Sequence, residues 1–528
     1  MNVHSIKSRL AMLAVGTALS LPLTSAVAMA EDKVSIAVNT MQIFSSLDPA
    51  KVTDYTGYMA IVNMYDGLTT VSPAGEIVPH LAKSWEISPD GLTYTFHLRD
   101  DAKFQDGTAL KASDIAWSVQ RLIGINKGLV VGLIKPENIT TPDDATVVFK
   151  LERPFAPFMS VTPIFTALNQ KLVETNATAD DKWGETYVGE HSAGSGPYKL
   201  VSYNRSADMV IDRNPDYFLG WTKGKPIDEV RFVQTSDDAT VKALAEKGEL
   251  GLSSHGLGND TYEAIGKMDG YKLIQTRTAG GFVIKLNTKV YPTDDVHVRR
   301  AIAYATDYKT IQEVIYPGFD MKGPLSDAFK DAHNDGIEPG VFDLEKAKEE
   351  LAKSKYAGQP ITLVNSYVAS LAFEAEVALL LQANLEQIGI TLDIKPEPWN
   401  RIVELSAKPE TTPASTQVNV SPSYPSPDSM FYNQYHSKAA GTWWSMEWLQ
   451  NPEIDALIDK ARGETDVSAQ NATYKELQTK IAELQPDVWA VAPNRRYGAN
   501  KCLQGYAFIP MQSWDLNFSN FHWDCSAN

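Results

Sequence analysis

The sequence predicts an α/β protein of two lobes with mixed sheets, the second lobe inserted into the first. Three features carry this expectation. Helical and strand patterns alternate along the whole chain. A dense β-rich block comes early, and the chain returns to extended structure at 488–492 after a long α/β stretch. With 528 residues, 43% of them hydrophobic and 10% aromatic, the chain exceeds what one core supports, so two or three domains are expected.

The elements follow in order. Short β-prone runs at 84–88 and 93–99 flank Pro89-Asp90-Gly91, whose residue chemistry suits a hairpin turn. Further runs at 146–149, 198–202 and 209–211 continue the block. Residues 236–248 read as a capped helix, with Ser236 or Asp237 as cap, Val241, Leu244 and Ala245 as the apolar stripe, and Gly248 as the stop. After Gly280-Gly281 a buried-looking strand at 282–287 leads into a helix at 296–305. Striped helices at 343–351, 373–388, 452–461 and 469–484 then accompany strands at 361–364 and 391–394. Two crossing strands are expected near 282 and 490.

The first thirty residues have the form of a secretory signal: Lys7 and Arg9, an apolar stretch from Leu10, and Ala28-Met29-Ala30 before Glu31. Cleavage after Ala30 takes two bases and no acid from the formal total, moving the net charge from −17 to −19. Such a chain is repelled by nucleic acid and by anionic lipid. Both cysteines, Cys502 and Cys525, lie near the C-terminus, far from any site of lipid attachment beside the signal. A free, monomeric periplasmic protein is expected. In an oxidising compartment the pair is expected to bond, which would restrain the unfolded chain by roughly 3 kcal/mol, the alternative being two buried thiols.

A series of motifs in fixed order resembles the family 5 bacterial extracellular solute-binding proteins, the peptide, nickel and oligosaccharide group serving ABC importers. The series opens with Leu47-Asp48-Pro49, Tyr65-Asp66-Gly67-Leu68 and Pro79-His80-Leu81-Ala82-Lys83-Ser84-Trp85. It continues through 90–99, Phe104-Gln105-Asp106-Gly107, Gly194-Ser195-Gly196-Pro197-Tyr198 and Asn214-Pro215-Asp216-Tyr217-Phe218. It ends with Leu286-Asn287-Thr288, 295–302 and Asp307. The resemblance implies a periplasmic-binding-protein, or Venus-flytrap, fold that encloses its ligand between the lobes, with an extra β-rich subdomain at about 71–195. The expected division is a signal at 1–30, a first lobe at 31–282, a second at 283–489, and a return to the first at 490–528. The implied partners are a small ligand and an inner-membrane permease with its ATPase. Most of the quoted residues read as scaffold, with Asp-Gly pairs as turns and Trp85, Phe96 and Phe104 as core.

On this resemblance the ligand site is expected to draw on Gln42 and Phe44 in the loop after the first strand, and on Tyr55, Trp399, Ser421, Ser423, Tyr424 and Asn494. Trp399 reads equally as a pocket wall or as a packed core ring. Ser423 stands where peptide-binding relatives place an aspartate for the ligand amine, and a buried ammonium lacks its counter-charge there. The loop Val368-Ala369-Ser370 also lacks the arginine that dipeptide-binding relatives offer to the carboxylate. A neutral or differently charged ligand is therefore expected: a longer peptide or peptide-like molecule, an opine-like conjugate or an oligosaccharide. Trp443, Trp444 and Trp448 read chiefly as core.

Enzyme signals are weak. The nine histidines are scattered, and the sequence has no His-Glu-x-x-His, Cys-x-x-Cys or Gly-x-Ser-x-Gly pattern, so no metal site of the protein's own and no cofactor is expected. A chelated metal held through few protein ligands, as the resemblance allows, stays open. Ser253-Ser254-His255 reads as the polar end of a strand, since neighbours on a strand face opposite ways. The reading is a binding protein and not an enzyme. A periplasmic hydrolase, or a protein presenting ligand to a chemoreceptor, is the alternative.

Overall fold

A computed structural model describes residues 33–526, apart from 53, 128–130, 206, 222–223 and 512. The expected signal segment and its cleavage point lie outside the described residues. Among these residues no helix is long and apolar enough to cross a membrane.

The first lobe is built on strand Ser35–Thr40, whose last five residues are buried. It pairs in parallel with Glu229–Gln234 on one side and with Leu250–Leu252 on the other. Asp208–Arg213 and Tyr198–Asn204 extend the sheet antiparallel. The helix expected at 236–248 forms as Asp238–Glu246. Its cap is Asp237, which accepts from the N–H groups of Ala239 and Thr240 at 3.2 and 3.1 Å, and Gly248 follows at φ +75°.

The β-rich subdomain is a separate antiparallel sheet in the order Ala82–Ile87, Thr93–Leu98, Thr146–Leu151, Ile134–Asp143. Its first hairpin turns as its residues require: Gly91 adopts φ +65° and donates to Ser88 O at 2.8 Å, while Asp90 accepts from Leu92 N at 3.0 Å. Phe96, Phe149 and Phe158 fill the core beneath the sheet, packed with helix Ala112–Gly124. That helix is tied to the rest of the lobe by Arg121. Its guanidinium meets Asp48 with two bonds of 2.8 and 2.6 Å and donates from Nε to Trp183 O at 2.8 Å.

In the second lobe Ile361–Val368 lies between Ile390–Glu397 and Ser415–Val420, parallel to both. The helix Ala372–Glu386 forms the crossover from Ile361–Val368 to Ile390–Glu397. Gly281–Leu286 pairs antiparallel with Ser415–Val420 and passes the sheet on to Asp487–Asn500. Beneath it Lys285 Nζ lies 2.9 Å from Glu447 Oε2, 3.2 Å from Gln434 Oε1 and 3.6 Å from Asp487 Oδ1.

The 14-residue strand Asp487–Asn500 is longer than the sequence suggests because it serves both lobes. Its first half pairs with Gly281–Leu286, placing Trp489 opposite Val283. Its second half pairs with Tyr271–Arg277, from Arg277 opposite Asn494 to Tyr271 opposite Asn500. The chain thus crosses between lobes twice, once at 278–280 and once within this strand. Gly280 makes the first crossing passable, since a Cβ there would sit 2.3 Å from Val420 O. Beyond the long strand, Cys502 and Cys525 form a disulfide beside the short pair Leu503–Gln504 and His522–Trp523.

Candidate functional site

Both crossings deliver side chains to a chamber between the lobes. From the first lobe come Gln42, Tyr55, Ser254 and His255, and from the second Glu374, Trp399, Asn419 and Trp443. This space holds about 90 Å³ and adjoins a second of about 60 Å³, where Gly280, Tyr316, Ser421 and Arg495 form the wall. Tyr55, His255, Asn419 and Trp443 face both spaces. Spaces of this size hold several waters.

Tyr55 opens the helix Tyr55–Met64 because Asp54 caps it, accepting from Gly57 N at 2.9 Å. Burial raises the Asp54 carboxyl above its ordinary range, against the pull of these backbone bonds. The Tyr55 hydroxyl bonds to that of Tyr497, and the Arg495 guanidinium lies 4.6 Å over the Tyr55 ring centre. Arg495 also reaches Tyr497 OH at 3.5 Å, and Tyr506 OH donates to Asp515 Oδ2 at 2.9 Å behind them. Among the described residues no carboxylate stands within ion-pair distance of Arg495, although it is only 9% exposed. An arginine keeps its charge in such surroundings. Asp515 is the acid behind it, reached through the Tyr497 hydroxyl at 3.5 Å on each side, and it forms no direct ion pair with the guanidinium.

His255 packs 4.1 Å from the Tyr55 ring. Burial, helped by Arg495, holds its pKa well below the ordinary value, so the imidazole is neutral. Its Nδ1 is buried without a hydrogen-bond partner among the described residues. Opposite, Trp399 opens the helix Trp399–Leu405 and meets Trp443 edge-on at 4.9 Å, while Trp443 stacks on Trp444 at 4.4 Å. The aromatic wall is therefore braced from behind.

Glu374 completes the chamber. It lies in the first turn of Ala372–Glu386, fully buried, and its Oε2 accepts from Val368 N at 2.7 Å. Its Oε1 has no partner among the described residues. Burial raises its pKa well above the ordinary carboxylate value.

Of the residues singled out from sequence, Gln42, Tyr55, Trp399 and Ser421 line these spaces. The others are placed elsewhere. Phe44 is core, 5.3 Å from Phe232, because the loop turns it back under the first sheet, where its carbonyl receives the Tyr203 hydroxyl. Tyr424 is wholly buried against the β-rich subdomain, and its hydroxyl donates to Asp428 at 2.6 Å. Ser423 is half-buried outside both spaces. Asn494 gives its N–H to Pro317 O at 3.0 Å, and strand alternation hands the chamber position to its neighbour Arg495. Sequence reasoning also missed His255, read as a strand end, and Trp443, read as core. Trp443 is both core and wall.

A larger cavity of about 320 Å³ lies elsewhere, lined by Tyr65, Asp66, His80 and Tyr217. Both acids in its lining are engaged: Asp66 accepts from His80 at 2.7 Å and from Ser195 and Tyr217 at 2.8 Å each, and Asp515 accepts from Tyr506 at 2.9 Å. Ser195 bonds the acid and not the imidazole, so its hydroxyl is not paired with His80.

Two lobes that share crossing strands around a chamber of aromatic and polar side chains have the architecture of a solute-binding protein. The family model "Bacterial extracellular solute-binding proteins, family 5 Middle" matches residues 76–442, and the chain belongs to that family. It is 24% identical over 98% of its length to a probable D,D-dipeptide-binding periplasmic protein of Escherichia coli K12, covering 99% of that protein. It is 27% identical over 97% of its length to a glutathione-binding protein of Pectobacterium atrosepticum, covering 98% of it. Among solved structures, an ABC transporter-associated periplasmic binding protein from Helicobacter pylori in complex with the peptide STSA superposes with a TM-score of 0.83. That match has 24% identity and covers 93% of this chain and 98% of the other. An agropinic acid complex from A. tumefaciens R10 gives a TM-score of 0.81 at 24% identity, covering 93% and 99%. At these identities the structural likeness concerns the fold.

Proposed function

We propose that the protein is the periplasmic capture subunit of an ABC importer. In this reading its lobes divide near 282 and 489, and it closes on a compact, carboxylate-bearing solute of the peptide-like or opine-like kind. The solute is then released unchanged to the permease. The observation that carries the reading is Arg495, a buried cation without an ion-pair partner among the described residues, facing the chamber between the lobes. A solute carboxylate would complete its charge-assisted bonds, while Tyr55, Trp399 and Trp443 would cover the solute's apolar parts. The matched relatives named for dipeptides, glutathione and agropinic acid bind carboxylate-bearing molecules, which supports the same class.

A thermal-shift screen of the mature chain tests this, because a ligand specific to the native state raises its melting temperature. The probes are D-Ala-D-Ala, L-dipeptides, glutathione, agropinic acid and neutral oligosaccharides. At least one carboxylate-bearing probe is expected to stabilise the protein and to be recovered chemically intact. Arg495→Gln is expected to weaken its binding about 30-fold or more, as loss of a buried charge partner does. A response confined to neutral sugars, or turnover of the bound probe, would refute the reading.

A further inference from the structure

The geometry points to a second recognition point in the chamber: the free Oε1 of Glu374 receives a cationic N–H group, an ammonium or guanidinium, on the solute whose carboxylate meets Arg495. The inference rests on the capture reading above and sharpens it to solutes carrying both charges.

Three observations support it. Glu374 is fully buried, lines the chamber, and leaves one carboxyl oxygen without a partner among the described residues. A buried carboxyl oxygen without a hydrogen-bond partner is costly, and a partner arriving with the ligand removes that cost. The other oxygen is held by Val368 N at 2.7 Å, which fixes the aim of Oε1 before any ligand arrives. The indoles of Trp399 and Trp443 line the same space, and such rings attract a cation.

The remaining titratable groups do not supply this donor. Asp54, across the chamber, is engaged in capping its helix. His255 is neutral and is not bonded to Glu374. Tyr316, stacked at 4.1 Å on the neighbouring Phe373, donates instead to Asn419. Arg495 belongs to the adjoining space. In the free protein burial favours the protonated acid, and an arriving cation favours the carboxylate, so binding releases a proton and tightens as pH rises.

Isothermal titration at pH 7.5 with matched probes tests the inference: D-Ala-D-Ala, L-Ala-L-Ala and glutathione, each against its N-acetylated form. The wild-type protein is expected to bind the free-amine member of a responding pair about 30-fold or more tightly, releasing a proton as it does. Glu374→Gln keeps an oxygen for Val368 N–H, so the free protein is expected to melt within a few degrees of wild type while the preference shrinks to about threefold or less. Equal binding of free and acetylated probes by wild type, or an intact preference in Glu374→Gln, overturns the inference and leaves carboxylate capture standing. Failure of every carboxylate-bearing probe removes the capture reading as well. The wild-type comparison decides the matter even if the variant does not fold.

Discussion

Replacing Lys285 by methionine is expected to destabilise the protein by about 3–5 kcal/mol, as removal of one partner from a buried ion cluster does. Lys285, Glu447 and Asp487 are essentially inaccessible to water, and the lysine is the cation common to both acids. Burial works against its charge, but the two carboxylates outweigh that effect and raise its pKa. The acids have secondary partners: Ser445 donates to Glu447 at 3.0 Å and Tyr435 to Asp487 at 2.6 Å. These bonds satisfy oxygens but do not neutralise charge. Without the ammonium, two buried carboxylates face each other and one must take up a proton. Urea unfolding at pH 7.5 measures the effect, and a loss below about 1 kcal/mol would show that the cluster relaxes freely.

The same cluster makes stability depend on pH. Burial raises the folded pKa of Glu447 to about 7, above its unfolded value, so the folded chain binds the extra proton. That contribution is full near the unfolded pKa and is lost as pH climbs through about 7, with a slope of up to about 1.4 kcal/mol per pH unit. Burial shifts Asp428, Asp487 and Asp515 in the same direction. The melting temperature is therefore expected to be higher at pH 6 than at pH 8, and the opposite order in calorimetry would contradict the assignment.

Arg121→Met is the second large effect, also expected at about 3–5 kcal/mol. Arg121 and Asp48 are both at most 1% exposed, and each is the other's counter-charge. The loss should fall on the attachment of helix Ala112–Gly124, and with it on the β-rich subdomain. The double variant Asp48→Asn with Arg121→Met is expected to be less destabilised than the sum of the two singles, since it leaves no buried charge behind. Additive losses in a double-mutant cycle would mean that the pair is not coupled.

The scaffold was legible because its signals are local. Asp237 caps, Gly248 stops and Pro89-Asp90-Gly91 turns by chemistry confined to a few residues, and the two-lobed α/β pattern follows from their order. The chamber was only half legible because its membership depends on distant packing. Asn494 and Arg495 differ by one step along a strand, and nothing in the local pattern says which faces inward. Glu374 in a first helical turn looks like an ordinary acid complementing the helix dipole. Its burial is set by contacts brought from across the fold. Phe44 failed for the reverse reason, since a loop aromatic beside a site is as readily drawn into the core.

The unbroken strand Asp487–Asn500 would act as the fulcrum of any closing motion, and groups near a fulcrum travel least. Arg495 pairs with Thr276 of the first lobe, two residues past Pro493 and close to that pivot, whereas Glu374 and Trp399 ride on the opposite arm. On the capture reading proposed above, the carboxylate dock would therefore stand ready while the arm is still swung out, and the solute would load one end first. A molecule lacking the first handle would drift away before the arm arrives. One lacking the second would dock without drawing the arm down, occupying the protein as an inhibitor while delivering nothing.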